Sequence, residues 1–146
     1  NRGCDLRSQL SLFMAMSGVG KSHIARYIGF NAAYVSGLNV LHFQLEGAEK
    51  ETTDAYSAML FKDSTYNYSN GRINQHAIDQ FTQTLEHNKG TLRVRAFPKF
   101  GKEFSTIDAD NEIEKYKEKF GYYPDVVIFD SLDLMTDSSG KSCTRY

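Results

Sequence analysis

The chain has 146 residues, of which 40% are hydrophobic and 24% charged, and its formal net charge is −1. These values are ordinary for a soluble globular protein and predict a single domain over residues 1–146, with no basic excess that would attract nucleic acid over the whole surface. No apolar stretch approaches membrane-spanning length. Cys4 and Cys143 have no metal-ligand spacing, so we interpret them as free thiols of a cytoplasmic protein.

A glycine-containing loop near the start of the chain follows a short apolar run. Leu10–Met16 has the length and apolarity of a strand. The loop begins at its last two residues and reads Ala15-Met16-Ser17-Gly18-Val19-Gly20-Lys21-Ser22. We call residues 15–22 the glycine loop. Beyond it, apolar residues at helical spacing predict a helix that ends at Gly37, with Ile24, Ala25, Tyr27, Ile28, Ala32, Ala33 and Val35 as its apolar side.

The glycine loop has the residue types that bind phosphate groups. Glycines let backbone N–H groups turn inward around an anion, and the helix that starts at Lys21 adds its positive end. Lys21 suits the outer phosphates, and the Ser22 hydroxyl suits a magnesium ion that keeps most of its waters. The pattern predicts a nucleotide site formed by Ser17, Gly18, Val19, Gly20, Lys21 and Ser22. The alternative is a chance Gly/Ser turn.

The remaining chain alternates predicted strands and helices. Asn39–Glu46, Thr91–Phe97 and Asp125–Asp130 are predicted strands, the last of them apolar enough to be buried on both faces. The predicted helices are Glu49–Phe61, a segment from Ile73 to Leu85, and Ile107–Phe120. This order predicts an α/β fold with a largely parallel sheet and helices on both faces.

Two polar features of these elements favour structural over functional interpretations. His42 alternates with apolar residues and is interpreted as a polar residue on a strand face rather than a catalytic or metal-binding one. A basic cluster interleaved with Phe97 and Phe100 is interpreted as a solvated strand face and loop rather than a nucleic-acid site; its members are Arg93, Arg95, Lys99 and Lys102.

Two carboxylates follow predicted strands. Asp130 ends the most apolar strand, where a nucleotide hydrolase places the carboxylate that faces magnesium through its water shell. Glu46 ends the strand after the first helix, and a carboxylate there could deprotonate the water that attacks the terminal phosphate. A surface loop glutamate explains Glu46 equally well from the pattern, since Glu49 and Glu51 are close by.

The order of these motifs resembles the RecA-type motor domain of DnaB-type hexameric replicative helicases. The similarity covers about Leu10 to Met135 and is carried by the glycine loop, by Val40–Glu46, by Gly71-Arg72-Ile73 and by Asp125–Met135. It implies a RecA-like P-loop ATPase core that couples ATP hydrolysis to translocation along single-stranded DNA in a hexameric ring. It also implies ATP and Mg²⁺ as cofactors, Lys21 on the phosphates, Ser22 and Asp130 at the magnesium, and Glu46 as catalytic base.

The chain also departs from this family. Ala15, Gly47 and Ser131 replace the usual Gly, Met and Tyr, as in a divergent member of the type found in phage replication systems. The family's phosphate-sensing Gln and the arginine that reaches a neighbour's nucleotide would lie beyond Tyr146, so we expect a partial domain with weak activity of its own. Lys141 and Arg145 would correspond to the start of a DNA-contacting channel loop, or to a mobile tail. The alternatives are a recombinase-like or clock-type RecA-fold ATPase and a non-hydrolysing nucleotide-dependent interaction module.

Overall fold

The computed structural model describes residues 9–16, 18–62, 67, 70–72, 75–76, 78–79, 82, 90–97 and 104–137. Its helices are α1 (Lys21–Phe30), which continues as a π-helical turn (Asn31–Val35), α2 (Glu49–Phe61) and α3 (Thr106–Phe120). Its strands are β1 (Asn39–Gln44), β2 (Thr91–Ala96), β3 (Phe104–Ser105), β4 (Val126–Asp130) and β5 (Met135–Thr136), with a 3-10 turn before the last (Leu132–Leu134).

Among the described residues, the main sheet has three strands in the order β2-β1-β4, and both pairings are parallel. Its register places Gln44 beside Asp130 and Phe43 beside Phe129, so β1 and β4 end at the same edge. A second, two-stranded sheet pairs β3 with β5, also in parallel. The predicted α/β class and parallel pairing are confirmed. None of the described helices is long and apolar enough to cross a membrane.

Helices cover both faces of the main sheet, as predicted. On one face α3 packs against alternate residues of β1, and the buried core there contains Leu41, Phe43, Leu45, Phe104, Ala109, Tyr116 and Met135. The Phe43 ring stacks on that of Phe129, with centroids 5.0 Å apart and an interplanar angle of 14°. Because parallel register makes these two rings direct neighbours, β1 and β4 are joined by aromatic packing as well as by backbone hydrogen bonds.

The opposite face of the sheet holds α1 and α2. Ala32, Ala33 and Val40 form a small buried cluster there, and Val126 and Ile128 pack against it. Gly29 is buried at the contact, and a Cβ at that position would stand 3.0 Å from Cδ1 of Ile128 and closer still to the Tyr56 hydroxyl. The lack of a side chain at position 29 therefore lets α1 lie directly against β4 and α2.

The boundaries of α3 have a local chemical cause. The Ser105 side chain accepts a hydrogen bond from the Asp108 backbone N–H, and the Asp108 carboxylate accepts one from the Ser105 backbone N–H. This reciprocal cap satisfies two amide groups that the first turn of a helix leaves without partners. The helix ends at Gly121, as predicted from the sequence.

Three expectations about packing were wrong. Leu10–Met16 is not a strand but an irregular and exposed segment, with Leu10 at 97% and Met16 at 83% exposure. An apolar run becomes a strand only beside a partner, and β4 pairs with β1 alone among the described strands. For the same reason β4 is half-buried along most of its length rather than buried on both faces.

The third error concerns the side of α1 that faces the sheet. Ile24 and Tyr27 belong to the predicted apolar side but are 47% and 64% exposed, and Val35 at the end of the π-helical turn is 71% exposed, whereas Ala32 and Ala33 of the same side are buried. The residue buried on α1 is Gly29. The helix thus makes its closest contact with the sheet through Gly29 and leaves Ile24 and Tyr27 exposed, while Ile28 and Phe30 are half-buried.

The segment predicted as a helix from Ile73 to Leu85 is described at only five positions. Gln75, His76, Ile78, Asp79 and Thr82 are helical, and the Thr82 hydroxyl donates to the Ile78 backbone oxygen at 3.0 Å. The other positions of this predicted helix lie outside the described residues.

Candidate functional site

The glycine loop enters α1 through two glycines with a left-handed backbone. Gly18 has φ +80° and Gly20 has φ +99°, values that residues with a Cβ adopt only at a cost. Gly20 is also the N-cap of α1, where none of the described side chains caps the helix and the first turn carries no acidic residue. The positive end of α1 therefore faces no carboxylate from its own first turn, as an anion site at a helix start requires.

The Lys21 side chain folds back over the same loop. Its Nζ donates to the backbone oxygen of Ala15 at 2.7 Å and lies 3.5 Å from that of Met16. Both are neutral acceptors, and an ammonium group makes shorter and stronger hydrogen bonds with phosphate oxygens. The Lys21 charge is thus held at the loop by partners that an anionic ligand could replace.

Ser22 and Asp130 meet although 108 residues separate them in the sequence. The Ser22 hydroxyl donates to Oδ1 of Asp130 at 3.0 Å, because α1 crosses β4 at the point where the strand ends. Asp130 is only 5% exposed, and its second oxygen, Oδ2, has no hydrogen-bond partner in the described part of the chain. The two residues predicted to share a magnesium ion are therefore adjacent, with one carboxylate oxygen unused.

This pair fits magnesium on chemical grounds. Mg²⁺ prefers oxygen ligands, keeps several of its waters, and is commonly held by one or two carboxylates together with substrate phosphates. A hydroxyl and a carboxylate in contact at the start of α1 supply such oxygens. Among the described residues no group of three or more His, Cys, Asp or Glu side chains could hold a metal ion by itself.

Glu46 lies in the turn directly after β1. It is exposed, two residues beyond Gln44 and therefore past the sheet edge where Asp130 ends β4. The backbone there is tied to β4 and to its own strand, since the Leu45 N–H donates to the Asp130 carbonyl at 2.7 Å and the Gln44 amide donates to the Glu46 carbonyl. The structure thus places Glu46 at the edge that carries Ser22 and Asp130, and its role as a base stays a prediction.

Beneath this edge lies a layer of polar side chains that the sequence pattern did not predict as a unit. We call it the polar layer; its members are Arg26, His42, Gln44, Thr52, Tyr56 and Asp130. The Thr52 hydroxyl donates to Oε1 of Gln44 at 2.5 Å, and Arg26 donates to the Thr52 hydroxyl at 3.4 Å. A sequence signal did exist, because His42 and Gln44 interrupt an otherwise apolar strand on one face.

His42 is fully buried in the polar layer. Its Nδ1 lies 2.7 Å from the Tyr56 hydroxyl oxygen, and the two rings meet edge to face. Burial lowers the pKa of His42 to about 4, an effect that the Asp130 carboxylate partly opposes and the Arg26 charge reinforces. Burial also raises the pKa of the Tyr56 hydroxyl. Both groups are consequently neutral at physiological pH, which agrees with the structural interpretation of His42.

The basic residues of β2 make contacts with α3. The Arg93 guanidinium lies 3.9 Å from the centroid of the Phe120 ring, and Arg95 lies 3.5 Å from the Glu112 carboxylate. Both arginines are exposed, in agreement with a solvated strand face. The other residues of the predicted cluster, Lys99 and Lys102, lie outside the described residues, as do Ser17 and the two candidate DNA contacts, Lys141 and Arg145.

No family model matches this chain, and no curated protein is similar to it at a significant level.

Proposed function

We propose that this chain binds ATP with magnesium at the glycine loop. The observation that carries the proposal is the contact between Ser22 and Asp130 at the uncapped start of α1. A phosphate group there would meet the N-terminal amides of α1 and the Lys21 ammonium, and its magnesium would meet Ser22 and Asp130. Magnesium would shield the phosphate charge and so favour attack by water, and Glu46 would accept the proton of that water.

We further propose that the parent activity is that of a RecA-like motor of the replicative-helicase type. The support is the order of four motifs along the chain, together with a small parallel sheet that has helices on both faces. Other nucleotide-binding α/β proteins share that architecture, so the helicase assignment depends on the resemblance and the ATP assignment on the geometry.

Calorimetric titration with Mg·ATP tests the nucleotide site. Losing the Lys21 phosphate contact in Lys21→Ala should cost about 1.5–3 kcal/mol, or about ten- to a hundredfold in affinity. The matched control is Lys119→Ala, which removes an exposed lysine of α3 and should bind Mg·ATP as the wild type does. Unchanged affinity in a correctly folded Lys21→Ala protein would refute the phosphate role of the glycine loop.

A further inference from the structure

The polar layer contains a directed chain of hydrogen bonds that ends at Glu46. Arg26 on α1 donates to the Thr52 hydroxyl on α2 at 3.4 Å, and that hydroxyl donates to Oε1 of Gln44 on β1 at 2.5 Å. The Nε2 group of Gln44 then donates to the backbone carbonyl of Glu46. Three elements that are separate in the sequence thus converge on one backbone group of the predicted catalytic base.

The interior links of this chain are fixed by burial. Thr52 is fully buried and Gln44 is 3% exposed, so neither side chain can replace a lost partner with bulk water. The Thr52 hydroxyl sets the orientation of the Gln44 amide: with Oε1 accepting from Thr52, the NH₂ group must face the Glu46 carbonyl, and the reverse orientation would set two oxygens against each other.

The segment that receives the last hydrogen bond needs such support. Glu46 is followed by Gly47, which has φ +87°. Glycine has more accessible backbone conformations than any other residue, so the turn is not fixed by its own backbone. The chain of hydrogen bonds begins on the helix that also carries the glycine loop, and Arg26 lies four residues after Ser22, on the same side of α1. It therefore connects the turn that holds Glu46 to the helix that would hold the phosphates.

We propose that Gln44 and Thr52 are positioning residues that hold the Glu46 turn in register with the glycine loop. This inference rests on the proposed function, because it assigns to Gln44 and Thr52 the placement of the base in that same site. Neither residue would touch ATP. Their loss should leave Mg·ATP affinity intact and reduce the rate of hydrolysis, since a displacement of about 1 Å in a reacting group can cost a hundredfold in rate.

The central variant is Thr52→Val, which keeps the branched shape and removes the hydroxyl. Single-turnover hydrolysis with enzyme in excess should slow by about tenfold or more, with the dissociation constant for Mg·ATP unchanged within twofold. Thr52→Ser should keep the wild-type rate because serine retains the hydroxyl donor. Thr53→Val is the matched control: Thr53 is the exposed neighbour, its hydroxyl donates only within α2 to the Glu49 carbonyl, and its loss should not alter the rate.

A second variant and a second readout protect the test from a folding artefact. Gln44→Met breaks the same link from the other side, and the double variant with Thr52→Val should be no slower than the slower single variant. Hydrogen exchange at the backbone amide of Leu45, which joins the Glu46 turn to β4 by donating to the Asp130 carbonyl at 2.7 Å, should be several-fold faster in Thr52→Val than in wild type, and unchanged in Thr52→Ser and Thr53→Val.

The outcomes distinguish the positioning role of Gln44 and Thr52 from the nucleotide site itself. Wild-type rate and wild-type exchange in Thr52→Val would overturn the positioning role while leaving the nucleotide site intact. A loss of Mg·ATP affinity equal to the loss of rate would also overturn it, because the residues would then support binding. If wild-type protein binds no Mg·ATP, the proposed function fails, and exchange at the Glu46 turn still decides whether this chain of hydrogen bonds holds it.

Discussion

Replacing Asp130 with asparagine separates the metal role of this side chain from its packing role. Asparagine keeps the shape and an oxygen that can accept from the Ser22 hydroxyl, which lies 3.0 Å away, but it removes the charge. In the wild type, Oδ2 of Asp130 is buried and has no partner among the described residues. A buried polar group without a partner costs about 1–3 kcal/mol, and more when it is charged, and asparagine replaces the charged Oδ2 with a neutral Nδ2. We therefore expect the nucleotide-free variant to be as stable as wild type, or more stable by up to about 1 kcal/mol.

Binding should change in the opposite direction. With magnesium present, losing the carboxylate charge should weaken ATP binding by about 1.5–3 kcal/mol, or about ten- to a hundredfold. With EDTA present, Asp130→Asn and wild type should bind ATP equally, because the carboxylate acts through the metal. The matched control is Asp133→Asn, an exposed carboxylate three residues further along, which should change neither quantity.

The assays are calorimetry with magnesium or EDTA, and urea unfolding followed by far-UV circular dichroism, since the chain has no tryptophan. Equal losses of affinity with and without magnesium would show that Asp130 is a strand-end residue with no metal role. A fall of more than about 1 kcal/mol in the free energy of unfolding would refute the argument from its unpartnered oxygen.

Two further predictions concern pH and assembly. The pKa of buried His42 is about 4, against about 6.5 when unfolded, so the unfolded chain binds more protons between these values and the free energy of unfolding should fall by up to about 3 kcal/mol as pH drops through that window. Urea unfolding at several pH values should show this slope in the exposed-residue variant His23→Gln and lose it in His42→Gln; an unchanged slope in His42→Gln would contradict the assignment. The monomeric chain should hydrolyse ATP slowly with or without single-stranded DNA, because a neighbour's arginine contributes about a thousandfold or more to phosphoryl transfer and no arginine follows Asp130 among the described residues. Brisk DNA-stimulated turnover by the monomer, in a coupled phosphate-release assay, would contradict this dependence on a neighbour.

The sequence predicts best those elements whose ends carry a local signal. Helix α2 has the predicted bounds, Glu49–Phe61, and α3 begins one residue before the predicted Ile107 and ends at the predicted Phe120. Strands β1 and β2 agree within two residues because turn residues and a proline limit them. The meeting of Ser22 with Asp130 was also predicted, from the glycine-loop motif at the start of a helix and from the carboxylate at the end of an apolar strand.

Features that depend on a distant partner were not predictable. Leu10–Met16 has strand-like composition, yet a strand exists only through hydrogen bonds to a neighbour, and local pattern contains no information on whether one is present. The chain from Arg26 through Thr52 to Gln44 joins residues of α1, α2 and β1, and each alone resembles an ordinary polar surface residue. Its only local sign was the polar alternation of β1.

The bare α-carbon of Gly29 has a consequence for how this protein can change during evolution. The helix rests on the Tyr56 hydroxyl and on Ile128 at that point, so a methyl group there would lift α1 away from β4. Ser22 lies seven residues earlier on the same side of α1 and would move with it, away from Asp130. The distance between the glycine loop and the Asp130 carboxylate thus depends on the residues at positions 29, 56 and 128 together. A larger residue at 29 is tolerable only with compensating reductions at 56 and 128, and the chemistry of the site then depends on a packing contact that touches none of the reacting groups.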